Sequence, residues 1–341
     1  MEKPLKGVKV VEFEGLGPAP FAAMCLSDMG ATVIRVGRKA PDSPPLWLDR
    51  DRDYRVLDLK TEAGCAAALT LIADADVVIE GFRPGKMEAL NLGPDAAFSV
   101  NPRLIYGRMT GWGQTGPMAH LAGHDLNFLA MTGLLSLMGH RDRAPTPPLN
   151  LIADFGGGGM YLAFGIVSAL LQARATGKGS VLDAAMVHGT SHLATFVHGR
   201  VAGDGWSAGR EANPLDGGAP FYRVYTCADG GWMAVAAVEP QFWRNAVAVL
   251  GLEATLPEHQ ADRADWPRQI ALVAARFAQR DRAEWEQAFA GVDACVTPVL
   301  SISEAVAHPQ IQPYFEAVQG VSRPRPAPMT APLDRAGAQK L

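Results

Sequence analysis

Val8-Lys9-Val10-Val11-Glu12-Phe13-Glu14-Gly15-Leu16-Gly17-Pro18-Ala19-Pro20 lies near the start of the chain and decides its class. The apolar run from Val8 to Phe13 reads as a buried strand. Gly15 to Pro20 follows as a tight loop, and Phe21 to Met29 carries helical spacing. Gly30 stops that helix, and Ala31-Thr32-Val33-Ile34-Arg35-Val36 is a second apolar run. Strand, helix and strand joined by such short connections predict parallel strands. The theme repeats with a strand near 55–58, a helix over about 61–72, and strands at Val77-Val78-Ile79 and Leu104-Ile105-Tyr106. The first hundred residues therefore predict a doubly wound, Rossmann-like α/β sheet.

Beyond residue 107 the pattern changes. Leu126 to Leu137 is apolar at helical spacing. Asp154 precedes four glycines, Gly156 to Gly159, and a long apolar helix from about Met160 to Ala175, which Gly177 ends as a C-terminal cap. A short strand at 181–183 and a helix over about 184–203 lead into a Gly/Asp/Asn-rich stretch, 203–218. A strand pair is expected at 221–227 and 231–237 around Asp229-Gly230. Helices are expected near 241–250 and 267–289, a strand at 295–299, and a tail without regular structure from Ser322.

The chain has 341 residues, and about 150 residues per domain suggests roughly two domains. Hydrophobic residues at 48% allow a sizeable core. A net charge of −4 gives no support to a nucleic-acid partner, yet it leaves room for a compact anion held by local arginines. Gly (36) and Pro (25) are in excess but without a period, so collagen-like and low-complexity classes fail. The four cysteines, Cys25, Cys65, Cys227 and Cys295, are scattered and read as reduced, mostly buried thiols. There is neither a secretory signal pattern nor a run of about 18 apolar residues, so the expectation is a cytoplasmic protein without a membrane span. Gln339-Lys340-Leu341 has only a chance similarity to a peroxisomal address.

Gly15–Pro20 stands where a dinucleotide fold holds its pyrophosphate, but Pro20 replaces the third glycine of the usual pattern. Arg35 and Arg38 stand where a carboxylate would meet a ribose hydroxyl. That disfavours NAD and leaves NADP and coenzyme A, whose riboses carry a phosphate; a plain tight turn is the competing account. Asp49-Arg50-Asp51-Arg52-Asp53-Tyr54-Arg55 reads either as a solvated strand or, with Arg38 and Arg83, as a phosphate-binding rim. His188 and His192 are four apart but lack the adjacent glutamate of a zinc-protease helix, so a packing role is expected. His124 precedes a helical run, beside free N–H groups. Asp154 reads as an N-cap, or as a carboxylate beside glycines that let a ligand approach the backbone.

These stretches resemble one superfamily along nearly the whole chain: the family III CoA-transferases together with the α-methylacyl-CoA racemases. The matching stretches include Pro4–Glu12, Asp28–Val36, Leu57-Asp58-Leu59-Lys60, Phe82-Arg83-Pro84-Gly85, Gly111–Pro117 and Thr176-Gly177-Lys178-Gly179. Gly123-His124-Asp125, Asn150–Gly158, Asp216–Pro220 and Val238–Phe242 resemble the racemase branch; the transferases commonly carry an aromatic residue at the position of His124. The resemblance implies a large CoA-binding α/β domain over 1–187 joined by the C-terminal segment 310–341. It further implies a linker helix and loop over 188–217 and a smaller α+β domain over 218–309. Two chains are implied to interlock as a homodimer.

The implied activity is inversion of the α-carbon of 2-methylacyl-CoA thioesters by 1,1-proton transfer through an enolate, an isomerase reaction. His124 and Asp154 are the implied acid/base pair, Glu239 supports the histidine, and Asn150 is a further polar site residue. The Asp125 backbone N–H is suited to the enolate oxygen. The implied CoA contacts are Arg38, Arg50, Arg52, Lys60, Arg83 and Gly123. Asp49, Asp53 and Tyr54 interrupt the family's basic segment, and Ala89 stands where a basic residue is common. Met131, Met160 and Met186 are candidates for an adaptable acyl surface, with core packing as the competing role. No metal and no prosthetic group is implied; the CoA thioester is substrate. The alternative is a CoA-transferase with Asp154 as covalent nucleophile. A CoA-binding regulator without catalysis is the third possibility.

Overall fold

The computed structural model describes residues 3–42, 47–203, 205–256, 260 and 262–329. They form two compact units. One comprises residues 3–132, 148–195 and 313–329, the other 133–147 and 196–312.

The first unit runs β1 (Lys9–Phe13), α1 (Pro18–Asp28), β2 (Thr32–Gly37), β3 (Asp53–Val56), α2 (Glu62–Ala73) and β4 (Val77–Glu80). It continues with α3 (Lys86–Ala89), α4 (Pro94–Val100), β5 (Ile105–Thr110) and α5 (Asp125–Met131). A π-helical segment, Leu151–Met160, then leads into α6 (Tyr161–Thr176), β6 (Ser180–Ala185) and α7 (Met186–Leu193). The strands form one sheet in the order β3-β2-β1-β4-β5-β6, every neighbouring pair parallel. All residues of β4 and β5 are buried, as a sheet covered on both faces requires. The order reverses between β1 and β4, and the carboxyl ends of those strands open the crevice where such folds bind ligands.

The second unit contains α8 from Phe196 onward (Thr195–Ala202), β7 (Tyr222–Thr226), β8 (Trp232–Ala236), α9 (Pro240–Leu250), α10 (Trp266–Phe277), α11 (Arg282–Phe289), β9 (Val296–Pro298) and α12 (Ile302–Ala307). Its strands form an antiparallel sheet, β7-β8-β9. Trp243, Phe277 and Trp285 fill its core, with the Trp285 Nε1–H donating to the Phe277 carbonyl at 2.9 Å. The remaining hairpin, β10 (Phe315–Val318) with β11 (Val321–Pro324), belongs to the first unit.

Several local expectations change. The apolar stretch 126–137 is not one helix. α5 stops at Met131, Gly133 takes φ +83°, and Leu134–Leu137 is a separate 3₁₀ turn in the second unit. The helix expected over 184–203 breaks at Ala194, between α7 and α8. Residues 205–218 form a hydrogen-bonded loop of the second unit: Asn213 is buried and Asp216 accepts the amides of Ala212, Asn213 and Gly218. The tail expected to lack structure supplies β11, because its residues pair in register with β10. Cys295 is exposed rather than buried. Leu151–Thr176 is long and apolar enough, at mean hydropathy 1.4, to cross a membrane by composition alone. Here that stretch packs against α1, α5, α7, β5 and β6. The residues at 339–341 lie outside the described residues.

Candidate active site at the switch point

The loops after β1 and β4 diverge and open a cavity of about 710 Å³. Gly17, Phe82, Arg83, Gly123, His124, Asn150 and Asp154 all line it. Gly17 takes φ +65°, in the left-handed region that favours glycine, and turns the chain into α1 with Pro18 as its first residue. A Cβ on Gly17 would lie 3.5 Å from Asp154 Oδ2, so the loop closes directly over that carboxylate.

His124 is the exposed N-cap of α5, and its backbone N–H donates to Asn127 Oδ1 at 3.1 Å. Asp125, the next residue, is buried. Its Oδ2 accepts the backbone N–H groups of Ala153 and Asp154, each at 2.8 Å. Asn150 Nδ2 donates to Asp154 Oδ2 at 3.4 Å. Partial burial pushes the Asp154 carboxyl above the usual aspartate range. The Asn150 hydrogen bond and His124 oppose that rise, and the Asp125 charge adds to it. His124 and Asp154 thus reach one cavity from two different elements.

Asp154 is not an N-cap: it lies inside the π-helical segment. The glycines beside it do not admit a ligand either. A Cβ on Gly157 would overlap Thr190, and one on Gly159 would meet the Pro18 carbonyl at 2.9 Å. Gly189 has its own missing Cβ against the Gly157 carbonyl. The run of glycines lets the segment press against α1 and α7. Gly123 answers to packing as well, since a Cβ there would stand 2.7 Å from the Phe128 ring and 2.9 Å from Trp112.

A second cavity, about 310 Å³, lies along the ends of β1 and β2 and includes Arg38, Leu59, Lys60, Phe82, Lys86 and Leu90. Phe82 lines both cavities. Its amide donates to Glu80 Oε2 at 2.8 Å. Buried Arg108 joins Glu80 (3.0 Å) to Glu88 of α3 (2.8 Å), which fixes the turn between the cavities. Arg38 and Lys60 also border a shallower hollow of about 300 Å³. Among the described residues Arg38, Lys60, Arg83 and Lys86 are exposed cations without an ion pair. Arg83 lies on the first cavity, not the second.

Two of the expected CoA contacts are corrected. Arg50 is 5% exposed and paired through Nε and Nη2 with buried Asp28, at 3.2 and 2.5 Å. The Arg52 side chain is 0% exposed, with Glu12 Oε2 at 2.8 Å and its other donors on the carbonyls of Pro20, Leu48 and Arg50. Both guanidinium groups are buried and held in ion pairs inside the fold, and neither lines one of these cavities. Lys86 escaped the sequence reading although it directly follows the Phe82–Gly85 turn. The signal was available: Gly85 at φ +81° starts α3 and aims the next residue along the cavity edge. Glu239 lies in the second unit as the exposed N-cap of α9. His192 Nδ1 is 2.6 Å from the Tyr161 hydroxyl, and no cluster of three metal-ligating side chains exists among the described residues. Met186 lines the first cavity, whereas Met131 and Met160 are exposed.

Known proteins with this arrangement are numerous. α-Methylacyl-CoA racemase of Homo sapiens is 46% identical over 329 residues, covering 95% of this chain and 86% of that protein. The Mus musculus racemase is 45% identical over 328 residues, with the same coverage. A crystal structure of a CAIB/BAIF family protein from Brucella suis superposes with a TM-score of 0.82 at 28% identity, covering 97% of this chain and 93% of that one. The CoA-transferase family III domain matches residues 5–335, and with this fold, this cavity and these relatives the chain belongs to CoA-transferase family III.

Proposed function

We infer that the protein inverts the α-carbon of 2-methylacyl-CoA thioesters by 1,1-proton transfer. The observation that carries this is the convergence of His124 and Asp154, from separate elements, on one cavity at the switch point. Similarity to two racemases over most of the chain supports it.

A thioester acidifies the neighbouring C–H because the charge left behind spreads onto oxygen as an enolate. One of the pair removes the α-proton while the other, protonated, delivers a proton to the opposite face. Direction of reaction exchanges their roles. Each such group contributes about 10²–10⁴-fold. The Asp125 N–H, in the first turn of α5 where no intrahelical acceptor exists, is the donor assigned to the enolate oxygen. Asn150 holds Asp154 Oδ2, and Gly123 lines the cavity beside His124. Arg38, Lys60 and Lys86 hold the phosphates and nucleotide of CoA in the second cavity, and Arg83 meets the arm where it passes Phe82. CoA binding energy from that remote end anchors the reacting carbon between the pair.

By the resemblance, Glu239 is the carboxylate that supports His124, and the working form is an interlocked homodimer in the cytoplasm. Exposed Phe164, Val167 and Leu171 on α6 support a second copy as the partner. Neither nucleic acid nor membrane is a partner in this proposal, and CoA thioester is its only cofactor-like ligand.

Incubating one epimer of a 2-methylacyl-CoA with the protein in heavy water tests it. Both epimers should appear, each carrying α-deuterium. Retention of configuration without deuterium, together with hydroxylamine trapping at Asp154 and CoA exchange between two acids, would instead establish a CoA-transferase.

A further inference from the structure

One buried ionisable side chain at the site has no place in the proton transfers. Asp125 is 4% exposed, and its backbone alone is assigned to the reaction. Its Oδ2 accepts two successive amides, Ala153 and Asp154, at 2.8 Å each. Its Oδ1 is buried without a hydrogen-bond partner. Burying a carboxylate is costly, and a lone pair left unsatisfied adds to that cost. The Ala153 and Asp154 amides lie in the first turn of the π-helical segment, where i→i+5 bonding leaves the N–H groups without an internal acceptor. Asp125 therefore caps the segment from a different helix.

The position of the cap matters. Asp125 is the first residue of α5 and His124 is that helix's N-cap. One side of the Asp125 backbone carries His124, and its carboxylate grips the backbone of Asp154. We propose that the Asp125 side chain is a positioning residue that fixes Asp154 to the start of α5, so that the two proton-transfer groups keep a set separation across the substrate carbon. This rests on the racemase function proposed above. Two amides on one oxygen leave Asp154 little freedom to slide or rotate along the segment. The Asp125 carboxylate also lies close enough to raise the Asp154 carboxyl. The other charged group acting on Asp154 is His124, and Asn150 contributes a hydrogen bond. The faces of α1 and α7 packed there present Pro18, Met186 and Thr190, none of them titratable.

Asp125→Asn and Asp125→Ala in the full-length protein separate the two effects. Asparagine keeps an acceptor for both amides and removes the charge. Protection of the two amides should persist, and the acid limb of the kcat/KM profile should move to lower pH, because the Asp125 charge that raises the Asp154 carboxyl is gone. Alanine removes the acceptor. Hydrogen exchange at the Ala153 and Asp154 amides should accelerate, and inversion should fall about 10²-fold. The ratio of α-deuterium incorporation to inversion should rise, since one base still works alone. Unchanged amide protection or unchanged inversion in Asp125→Ala would overturn the proposal. Should alanine prevent folding, Asp125→Asn decides: inversion lost while the Ala153 and Asp154 amides stay protected would overturn the proposal. A wild-type protein that neither exchanges nor inverts, with amide protection lost in Asp125→Ala, would keep the clip and sink the racemase function alone.

Discussion

The two cavities that meet at Phe82 are built in opposite ways. The nucleotide side presents Arg38, Lys60 and Lys86 as exposed cations with no protein partner among the described residues. The acid/base side is made from buried backbone, with a carboxylate inserted between two helical elements and glycines pressed against α1 and α7. Binding a polyanion needs charge within reach, and long, solvated side chains supply it. Moving a proton needs separations held to fractions of an ångström, which solvated side chains do not supply. Between them, Arg50 and Arg52 belong to neither side: their charges are used inside the fold.

Five substitutions would break or sharpen this contrast. Replacing His124 by Ala or Asp154 by Asn should lower inversion by about 10²–10⁴-fold, with KM near the wild-type value. Steady-state kinetics on both epimers measures this, and an equal rise in KM would count against rigid chemistry beside separate binding. Arg52→Ala strands fully buried Glu12 and should cost about 3–5 kcal/mol in a urea titration, while the folded fraction keeps its KM. A phosphate-binding Arg52 would give the reverse result. Gly157→Ala forces a methyl into Thr190 and should destabilise by about 1–3 kcal/mol in the same titration. Lys86→Ala should raise KM roughly fivefold, about 1 kcal/mol, and leave the melting temperature alone. That rise should shrink with added salt, as expected for an exposed cation. On the acid side of the pH profile, activity should begin to fall above the ordinary aspartate range, because partial burial raises the Asp154 carboxyl and protonates it earlier as pH drops.

The sheet was legible in the sequence because Val8–Phe13, Ala31–Val36 and Val77–Ile79 are continuous apolar runs with short connections. His124 and Asp154 were legible as helix-start residues and became specific through the family resemblance. The side-chain direction of Arg50 and Arg52 was not legible. An alternating Asp/Arg segment looks the same whether its guanidinium groups point to solvent or to Asp28 and Glu12, which lie 22 and 40 residues away. The Asp125 clip was hidden for the same reason, since its amide partners are 28 and 29 residues distant. The glycines at 156–159 were visible, but their purpose depended on where α1 and α7 come to rest. Lys86 lies one residue beyond the Phe82–Gly85 motif, and the left-handed turn at Gly85 is what brings it to the cavity.

The π-helical winding of Leu151–Met160 has a consequence for how this protein can change over generations. A π turn holds more residues than an α turn, and the winding here passes directly into α6. Deleting one residue among the glycines, with the winding otherwise kept, would turn Asp154 by less than about 100° around the axis relative to α6. The carboxylate would then leave the cavity even though every remaining side chain was intact. This segment can drift in composition where contacts permit, but its residue count is locked.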